Sequence, residues 1–520
     1  MTDDRAGPWF PGRHAERDGA RPAVVDAASG EVRTYAEVDA LANRVSRVLR
    51  RLGLRPGDHV ALWFDNDLDY PAIWWGARYA GLYYTLISTR LTPEEVAYIV
   101  EDSGSGVVLV GARLARERGG VLRSLLGGHV RLIANDGADD GLGALLAAES
   151  SAPLADRVEG VPMLYSSGTT GRPKAVKRPL SGAPIGTSPG AVVMAQRFGI
   201  DRHSVYLSPT PLYHAAPCGY VSAVLALGGT VVMMTHFDAG TFLAAVERYR
   251  VTHSQVVPTM FVRLLALPAE VRRRWDRASL RCVIHSGAPC PVPIKEQMLD
   301  WWGPVIFEYY SGTENVGFTC CGPQEWLAHR GSVGRPVGCE VHIIGEDGAG
   351  LPAGTDGDVY FSGSARFEYH NDPGTTRQSY LPNGWATFGD IGHLDSDGYL
   401  YLTDRRANVV IVGGVNVYPQ EAENLLISHP LVQDAAVFGI PHEDMGEQVK
   451  AVVEPVPGTK GDARLEANLI AYCRVHLASV KCPRSIDFRR DLPREPNGKL
   501  LKRALRDEYR ARLAGERQKA

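Results

Sequence analysis

The chain predicts an α/β protein: a large N-terminal domain of two α/β lobes plus a β-rich lobe, followed by a small α+β C-terminal domain. Three observations carry that prediction. Helical and strand patterns alternate before about residue 330, short β-rich runs punctuated by Gly, Pro, Asn and Asp fill Gly331–Leu402, and a compact mixture of both follows the polar stretch Thr403–Asn408. The domain boundary therefore falls at that stretch, giving an N-terminal domain over 1–403 and a C-terminal domain over 404–520.

Taken in order, Thr34–Arg51 places Val38, Leu41, Ala42, Val45, Val48 and Leu49 on one helical stripe, with Gly53 as its cap. Gly57–Asp58 turns into a strand at His59–Phe64. A helix at Tyr70–Gly81, a strand at Tyr83–Ile87, a helix at Thr92–Asp102 and a strand at Gly106–Val110 follow. Such alternation reads as βα units on a parallel sheet. The rhythm returns with strands at Val205–Leu207, Gly229–Met234 and Cys282–His285, which make the second lobe. Val221–Thr235 is the nearest approach to a membrane span, but Gly228–Gly229 interrupts it and it falls short of ~18–20 apolar residues. It reads as buried helix, turn and strand. In the third lobe, Val341–Ile344, Gly357–Ser362 and Tyr399–Leu402 read as short antiparallel strands. The C-terminal unit offers strand Val409–Val412, helix Pro419–His429, strands Asp434–Gly439 and Gln448–Val453, and helix Ala463–Leu477.

The 520 residues have room for about three lobes at roughly 100–200 residues each. The balance of 56 Lys+Arg against 59 Asp+Glu, a formal charge of −3, speaks against a nucleic-acid binder, which needs a basic field. Residues 489–520 are locally basic, yet acids are interspersed and aromatics scarce, as on a solvated helical face. The eight cysteines, including the adjacent Cys320–Cys321 pair, form no C-x-x-C pair, and so long a chain needs no disulfide staples. Met1–Pro22 lacks the apolar core of a secretory signal. A soluble cytoplasmic protein is expected.

Tyr165-Ser166-Ser167-Gly168-Thr169-Thr170-Gly171-Arg172-Pro173-Lys174 is the most informative segment, and it follows a strand read at Pro162–Tyr165. Glycines let backbone N–H groups close around an anion, hydroxyls add donors, and Lys174 adds charge. The spacing is not that of G-x-x-x-x-G-K-[ST]. Composition alone leaves two readings open, a polyphosphate cradle and a flexible polar turn.

The order and partners of this segment resemble those of the adenylate-forming superfamily, which includes acyl-CoA synthetases, luciferases and adenylation domains. Pro211-Leu212-Tyr213-His214 resembles its acid-pocket segment and Ser286-Gly287-Ala288-Pro289 its adenine loop. Tyr310-Ser311-Gly312-Thr313-Glu314 resembles its aromatic–Thr–Glu motif, Gly389-Asp390 its ribose aspartate and Asp404-Arg405-Arg406 the start of its hinge. Gly413-Gly414-Val415-Asn416-Val417-Tyr418-Pro419 and Gly498-Lys499 complete the series, which spans nearly the whole chain. The texture is most similar to bacterial acyl-CoA synthetases.

The resemblance implies ATP, Mg²⁺ and CoA, with a small carboxylic acid as substrate. Acid and MgATP would give acyl-AMP and pyrophosphate, and CoA would then take the acyl group as a thioester. Phosphoryl-type transfer is won by positioning and electrostatics, which assigns the implied roles. Ser166, Ser167, Gly168, Thr169, Thr170, Gly171, Lys174 and Thr313 would hold phosphates, and Glu314 the Mg²⁺. Gly287, Ala288, Pro289, Tyr310, Ser311 and Gly312 would frame adenine, while Asp390 and Arg405 take the ribose. Lys499 would bridge carboxylate and α-phosphate as a mobile point charge. The C-terminal domain, mobile about Arg405–Asn408, would then withdraw Lys499 and bring the Gly413–Gly414 face to a thiol. Tyr213, His214, Gly219, His285, Tyr309 and Val316 are the acid-pocket residues, a mixture that fits aryl or medium-chain acids without choosing. His214 is a pocket-lining or gating residue before it is a general base, because adenylation uses an ionised carboxylate.

Some positions depart from the family pattern: Ala175 after the loop lysine, Phe388 within Thr387–Asp390, Ala407 and Asn408 in the hinge, and Val480 before Lys481. Gly186-Thr187-Ser188-Pro189-Gly190 matches G-x-S-x-G, but Ser181–Pro189 reads as loop where a nucleophile elbow needs a strand. Three other outcomes share these residues: loading of a carrier protein, use of nitrite by an ATP-dependent diazotase, and a non-catalytic ligand sensor.

Overall fold

The computed structural model describes residues 7–166, 173–187, 190–363, 365–494 and 500–517, with side chains through residue 513. The chain forms two compact units. One comprises Met1–Val256, Leu267–Ile284 and Arg366–Thr376; the other comprises Val257–Ala266, His285–Ala365 and Arg377–Ala520.

In the first unit an all-parallel sheet runs in the order Arg131–Ala134, Val107–Val110, His59–Trp63, Tyr83–Leu86, Val161–Pro162. Tyr83–Leu86 and Val107–Val110 are buried along their whole length, as strands covered on both faces are. Helix Tyr35–Arg51 starts at a capping box in which Thr34 and Glu37 each accept from the other's backbone N–H. Its stripe buries Val38, Ala42, Val45, Val48 and Leu49, with Leu41 half-buried at the margin. A second parallel group orders His253–Val256, Val205–Ser208, Thr230–Met233 and Pro22–Asp26, and Val32–Thr34 closes it antiparallel. The apolar run before Thr235 is helix Ala215–Leu227, a left-handed Gly228 at φ +85°, and strand Thr230–Met233.

The strand expected at Pro162–Tyr165 is two strands in two sheets. Met163 N makes the last bond to the parallel sheet, to Tyr84 O at 3.0 Å, and Pro162 sits on an edge strand that needs no donor. Leu164–Ser166 then pairs with Lys174–Lys177, which also pairs with Glu368–Tyr369, in a small antiparallel sheet. Hairpin pairing across the phosphate segment draws the chain out of the first sheet.

In the second unit Ile306–Tyr310, Thr319–Cys321 and Arg335–Pro336 run antiparallel. The β-rich lobe is a four-stranded antiparallel sheet of Glu340–Ile344, Gly357–Ser362, Ala386–Leu394 and Leu400–Arg405. The strand expected to stop at Leu402 thus runs on through Arg405, placing Asp390 opposite Arg405 and Ile391 opposite Asp404. Only Arg406–Asn408 forms a turn. The C-terminal sheet orders Val415–Val417, Val410–Val412, Gly446–Pro455 and Val432–His442, with Ser485–Phe488 beside Gly446–Pro455. Strand alternation divides its faces. Ala435 and Val437 pack with Leu426 of helix Pro419–Ile427 and Leu469 of helix Ala463–His476, whereas Ala436, Phe438 and Ile440 meet Leu505 and Tyr509 of helix Lys502–Arg517.

Candidate active site

In the first unit the two ends of the Tyr165–Lys174 segment pair as antiparallel strands, registering Leu164 with Val176, Tyr165 with Ala175 and Ser166 with Lys174. Ser167, Gly168, Thr169, Thr170 and Gly171 lie outside the described residues. Ser166 donates its hydroxyl to Lys174 O at 3.3 Å, which ties the loop's two roots together. Lys174 Nζ donates to Thr375 Oγ1 at 2.6 Å and pairs with Asp372 Oδ2 at 2.9 Å. Bonds from Thr375, reinforced by Lys174, hold the Asp372 carboxyl down at about 2. Ala175, a departure from the family glycine, is fully buried beside Tyr83 and Met163, so its methyl is part of the packing.

The acid-pocket segment leads into helix Ala215–Leu227, and His214 occupies its N-cap position. Tyr213 is buried, its phenol pushed up by burial, and its ring tilts against His214 with centroids 4.7 Å apart. Gly219 lies one turn into the helix, and a Cβ there would meet nothing within 4 Å. Open space at a helical glycine is what a pocket wall provides.

Strand Cys282–His285 leads into the sequence Ser286–Pro289 of the second unit, where Gly287 takes φ +85°. Burial raises the Tyr309 phenol to about 12, a push that the Ser286 hydroxyl offsets in part. His285 is fully buried with Phe261 edge-on at 5.4 Å, and burial with the nearby Lys295 charge keeps its imidazole neutral. Val316 is likewise buried.

The aromatic–Thr–Glu motif leaves strand Ile306–Tyr310 through a tight turn. Asn315, at φ +54°, donates its N–H to Gly312 O at 3.0 Å, and Ser311 donates its hydroxyl to Gly317 O at 2.7 Å. A Cβ on Gly312 would stand 2.5 Å from Phe388 and 2.7 Å from the Glu314 carboxylate, so any other residue would displace those side chains. Phe388, another departure, packs edge-on against Tyr310 at 5.5 Å and also meets Phe361. Tyr310 donates its hydroxyl to Asp390 Oδ2, and Arg405 Nε donates to Oδ1 at 3.0 Å. Each carboxylate oxygen keeps a second lone pair, so Asp390 still has acceptor capacity for a diol. The charges of Asp390 and Glu314, with the Tyr310 hydroxyl, raise the Arg405 guanidinium above its ordinary value. Tyr310, Glu314, Asp390 and Arg405 therefore meet, while half-buried Thr313 sits in the same turn.

Among the described residues no group of three or more His, Cys, Asp and Glu forms a metal cage. A single carboxylate at Glu314 instead suits a Mg²⁺ that arrives with phosphate oxygens and water as its other ligands.

Below this turn lies a pair that the sequence did not announce by any motif. Lys295, fully buried on helix Val292–Trp302, donates to Glu308 Oε2 at 2.5 Å, with His285 Nε2 3.4 Å from the same oxygen. A weaker signal was present: Lys295 shares a helical stripe with Met298, Leu299 and Trp302, all buried. Asp372 and Thr375 also escape sequence reasoning, since nothing local links them to Lys174.

In the segment expected to act as a hinge, Asp404 accepts from Arg405 N, from Asn408 Nδ2 at 3.1 Å and from Gln420 N at 2.9 Å. Ala407 contributes its carbonyl, which accepts from Arg506 at 3.4 Å. Gly413 at φ +56° and Gly414 at φ +83° form the two-residue turn between Val410–Val412 and Val415–Val417. Val480 packs on the C-terminal core, and Lys481 pairs with Glu421 at 2.7 Å. Lys499 lies outside the described residues; the flanking Arg494 and Leu500 are joined by an antiparallel bridge. Gly186–Thr187 is loop with no strand before it, and Ser188 lies outside the described residues.

The AMP-binding enzyme family model matches residues 12–368, and the AMP-binding enzyme C-terminal domain matches residues 421–499. The chain is 34% identical over 487 residues to the long-chain-fatty-acid–CoA ligase FadD13 of Mycobacterium tuberculosis (strain ATCC 25618 / H37Rv), across 92% of this chain and 93% of that one. It is 33% identical over 518 residues to feruloyl-CoA synthase of Amycolatopsis sp, across 98% and 100%. It is 31% identical over 512 residues to the fatty acid–[acyl-carrier-protein] ligase ScoC of Streptomyces coeruleorubidus, across 95% of each. Its fold is similar to that of o-succinylbenzoate CoA synthetase (MenE) from Bacillus subtilis in complex with the acyl-adenylate OSB-AMP, at a TM-score of 0.81 and 28% identity over 96% and 98% of the two chains. The chain thus belongs to the AMP-binding enzymes, the adenylate-forming superfamily, and groups there with acid–CoA ligases.

Proposed function

We propose that this chain is an AMP-forming acid–CoA ligase acting in two steps. A carboxylate oxygen attacks the α-phosphorus of ATP and pyrophosphate leaves. The CoA thiol sulfur then attacks the acyl carbon, and AMP leaves with the bond's electron pair. The convergence of Tyr310, Glu314, Asp390 and Arg405 supports the reading above all, because it gives ribose an acceptor and the phosphates a metal-binding carboxylate. Mg²⁺ held by Glu314 would neutralise phosphate charge. Ser166 to Gly171, Lys174 and Thr313 bind phosphates, Gly287 to Pro289 and Tyr310 flank adenine, and Tyr213, His214, Gly219, His285, Tyr309 and Val316 are the acid-pocket residues. Lys499 serves the first step. Residues 404–520 then turn about Arg405–Asn408 so that Gly413–Gly414 faces the pantetheine arm, since one site cannot hold both the lysine and a thiol path.

The acid is a small-molecule aryl or aliphatic carboxylate, and the cytoplasm is the compartment, consistent with eight free cysteines and with no described helix long and apolar enough to cross a membrane. Pyrophosphate release over a panel of acids, with and without CoA, tests the reading. One acid should release pyrophosphate, and CoA should yield thioester and AMP in equal amounts. A panel in which no acid releases pyrophosphate would instead indicate a ligand sensor. The likeness to ScoC favours a second reading, transfer to a carrier protein; acyl-carrier product without acyl-CoA would establish it.

A further inference from the structure

Lys174 ends the phosphate loop in the company of an acid. Its ammonium lies 2.9 Å from Asp372 Oδ2 and donates to Thr375 Oγ1 at 2.6 Å, with the Tyr369 ring 5.8 Å away. The carboxylate is itself immobilised. Thr375 donates its N–H to Asp372 Oδ1 at 2.9 Å and its hydroxyl to Oδ2 at 2.6 Å, at the start of helix Pro373–Gln378. The segment that carries both residues is fastened to the hairpin twice. Glu368–Tyr369 pairs with Lys174–Lys177, and Asn371 Nδ2 donates to Asp102 O at 3.0 Å. Asp102 also takes the Tyr165 hydroxyl at 2.6 Å. Both roots of the phosphate loop, Tyr165 and Lys174, are therefore moored to one closed ring of contacts. The ring borders an open cleft of about 500 Å³ lined by Lys174, Asp372, Asn371 and Asp102 among others.

From this ring we infer that Asp372, steadied by Thr375, is a positioning residue that docks Lys174 and restrains how strongly its charge draws a nucleoside triphosphate. The inference rests on the reading of the hairpin loop as a phosphate site. An ammonium has three N–H donors; Asp372 and Thr375 engage two of them, which aims the third. The same carboxylate cancels part of the lysine's field, so the triphosphate meets a well-directed but weakened cation. Asp372 thus lowers ground-state affinity while improving aim, and its removal should tighten binding.

The test is calorimetric titration of the full-length chain with the Mg²⁺ complex of α,β-methylene-ATP, whose α–β bridge is not cleaved, so that it cannot adenylate an acid and binding is read without one. Asp372→Asn removes the charge while keeping a side chain that caps a helix as well as Asp does, so folding is preserved. Its Kd should fall roughly two- to fivefold, the range of a partly exposed ion pair. Lys174→Ala alone should weaken binding, and adding Asp372→Asn to it should bring no further gain. Unchanged or weaker binding by Asp372→Asn, with Lys174→Ala weakened, would show that Asp372 does not restrain the lysine's charge, overturning the inference and leaving the phosphate-loop reading standing. The docking role falls equally if Asp372→Asn tightens the Lys174→Ala protein as much as it tightens the parent. Should Lys174→Ala bind as the parent does, the phosphate-loop reading falls and the inference with it.

Discussion

Arg405 Nε lies 3.0 Å from Asp390 Oδ1, and the two residues stand directly opposite each other on adjacent antiparallel strands. Backbone register, not side-chain reach, makes this pair. Asp390→Asn leaves the register intact but turns an amide toward the guanidinium and weakens the acceptor for ribose. AMP affinity should drop ~10–100-fold, the worth of a charged hydrogen bond or two. The folding loss should stay near 1–2 kcal/mol, because the Arg405 side chain is 40% exposed and water replaces part of the broken pair. Titration calorimetry and urea unfolding report the two effects separately, and unchanged AMP affinity would take Asp390 out of the ribose site.

Glu314→Ala should lose Mg²⁺-dependent pyrophosphate release while unfolding at nearly the parent temperature. Glu314 is half-buried beside Arg405, and its side chain caps no helix. Full turnover at saturating Mg²⁺ would show that the metal is held elsewhere.

Lys499→Ala and a Gly414 substitution should separate the half-reactions. The lysine variant should form acyl-AMP ~10²–10³-fold more slowly yet convert supplied acyl-AMP to thioester at the parent rate. Gly414→Leu should adenylate normally and stall with CoA. Because Gly414 sits at φ +83°, leucine also strains the turn, and Gly414→Asn is the control that tolerates this backbone. Equal slowing of both steps in the lysine variant, or thioester formation by Gly414→Leu at the rate of the Asn control, contradicts the two-pose scheme.

Gly219→Phe should shift the acid panel toward shorter acids, since the added ring enters open space beside the helix. Gly219→Ala should instead stabilise the fold by about 0.5–1 kcal/mol, the usual gain for a helical glycine with room for a methyl. An unaltered ratio of kcat/KM between long and short acids in Gly219→Phe would exclude Gly219 from the acid pocket.

Stability should also carry a pH signature from Glu423. Burial lifts its carboxyl to about 7, with Lys502 at 2.8 Å opposing the shift and Val437 N donating at 2.7 Å. The folded chain therefore keeps a proton that the unfolded chain has lost near 4.5, so stability falls as pH rises from about 4.5 through 7. Between pH 5 and pH 8 the parent should lose about 1–3 kcal/mol relative to Glu423→Gln in urea unfolding. Parallel pH profiles for the two proteins would contradict the assignment.

Legibility in the sequence follows the locality of each signal. Val107–Val110 is readable because burial on both faces leaves an unbroken apolar run, and the helix after Thr34 because its cap and stripe lie within one window. Thr403–Arg405 resembles a linker because its polarity serves the bonds to Asp390 and to helix Pro419–Ile427, and a strand whose side chains make such bonds loses its apolar alternation. The motif containing Tyr310 is legible, whereas its bond to Asp390, 80 residues away, is a product of register. Lys174 and Thr375, 201 residues apart, meet only because Glu368–Tyr369 crosses to pair with the hairpin. Lys295 is the case where the sequence held the clue: a cation on an apolar stripe requires a buried partner.

Asp404 and Arg405 are consecutive residues of an extended strand, so their side chains leave on opposite sides. Arg405 reaches Asp390, and Asp404 reaches Asn408 and the first turn of helix Pro419–Ile427. The grip on Asp390 and the grip on the following helix are thus separated by one peptide unit, with no slack between them. Inserting a single residue between the two would invert one side chain relative to the other and sever that connection while deleting no functional group.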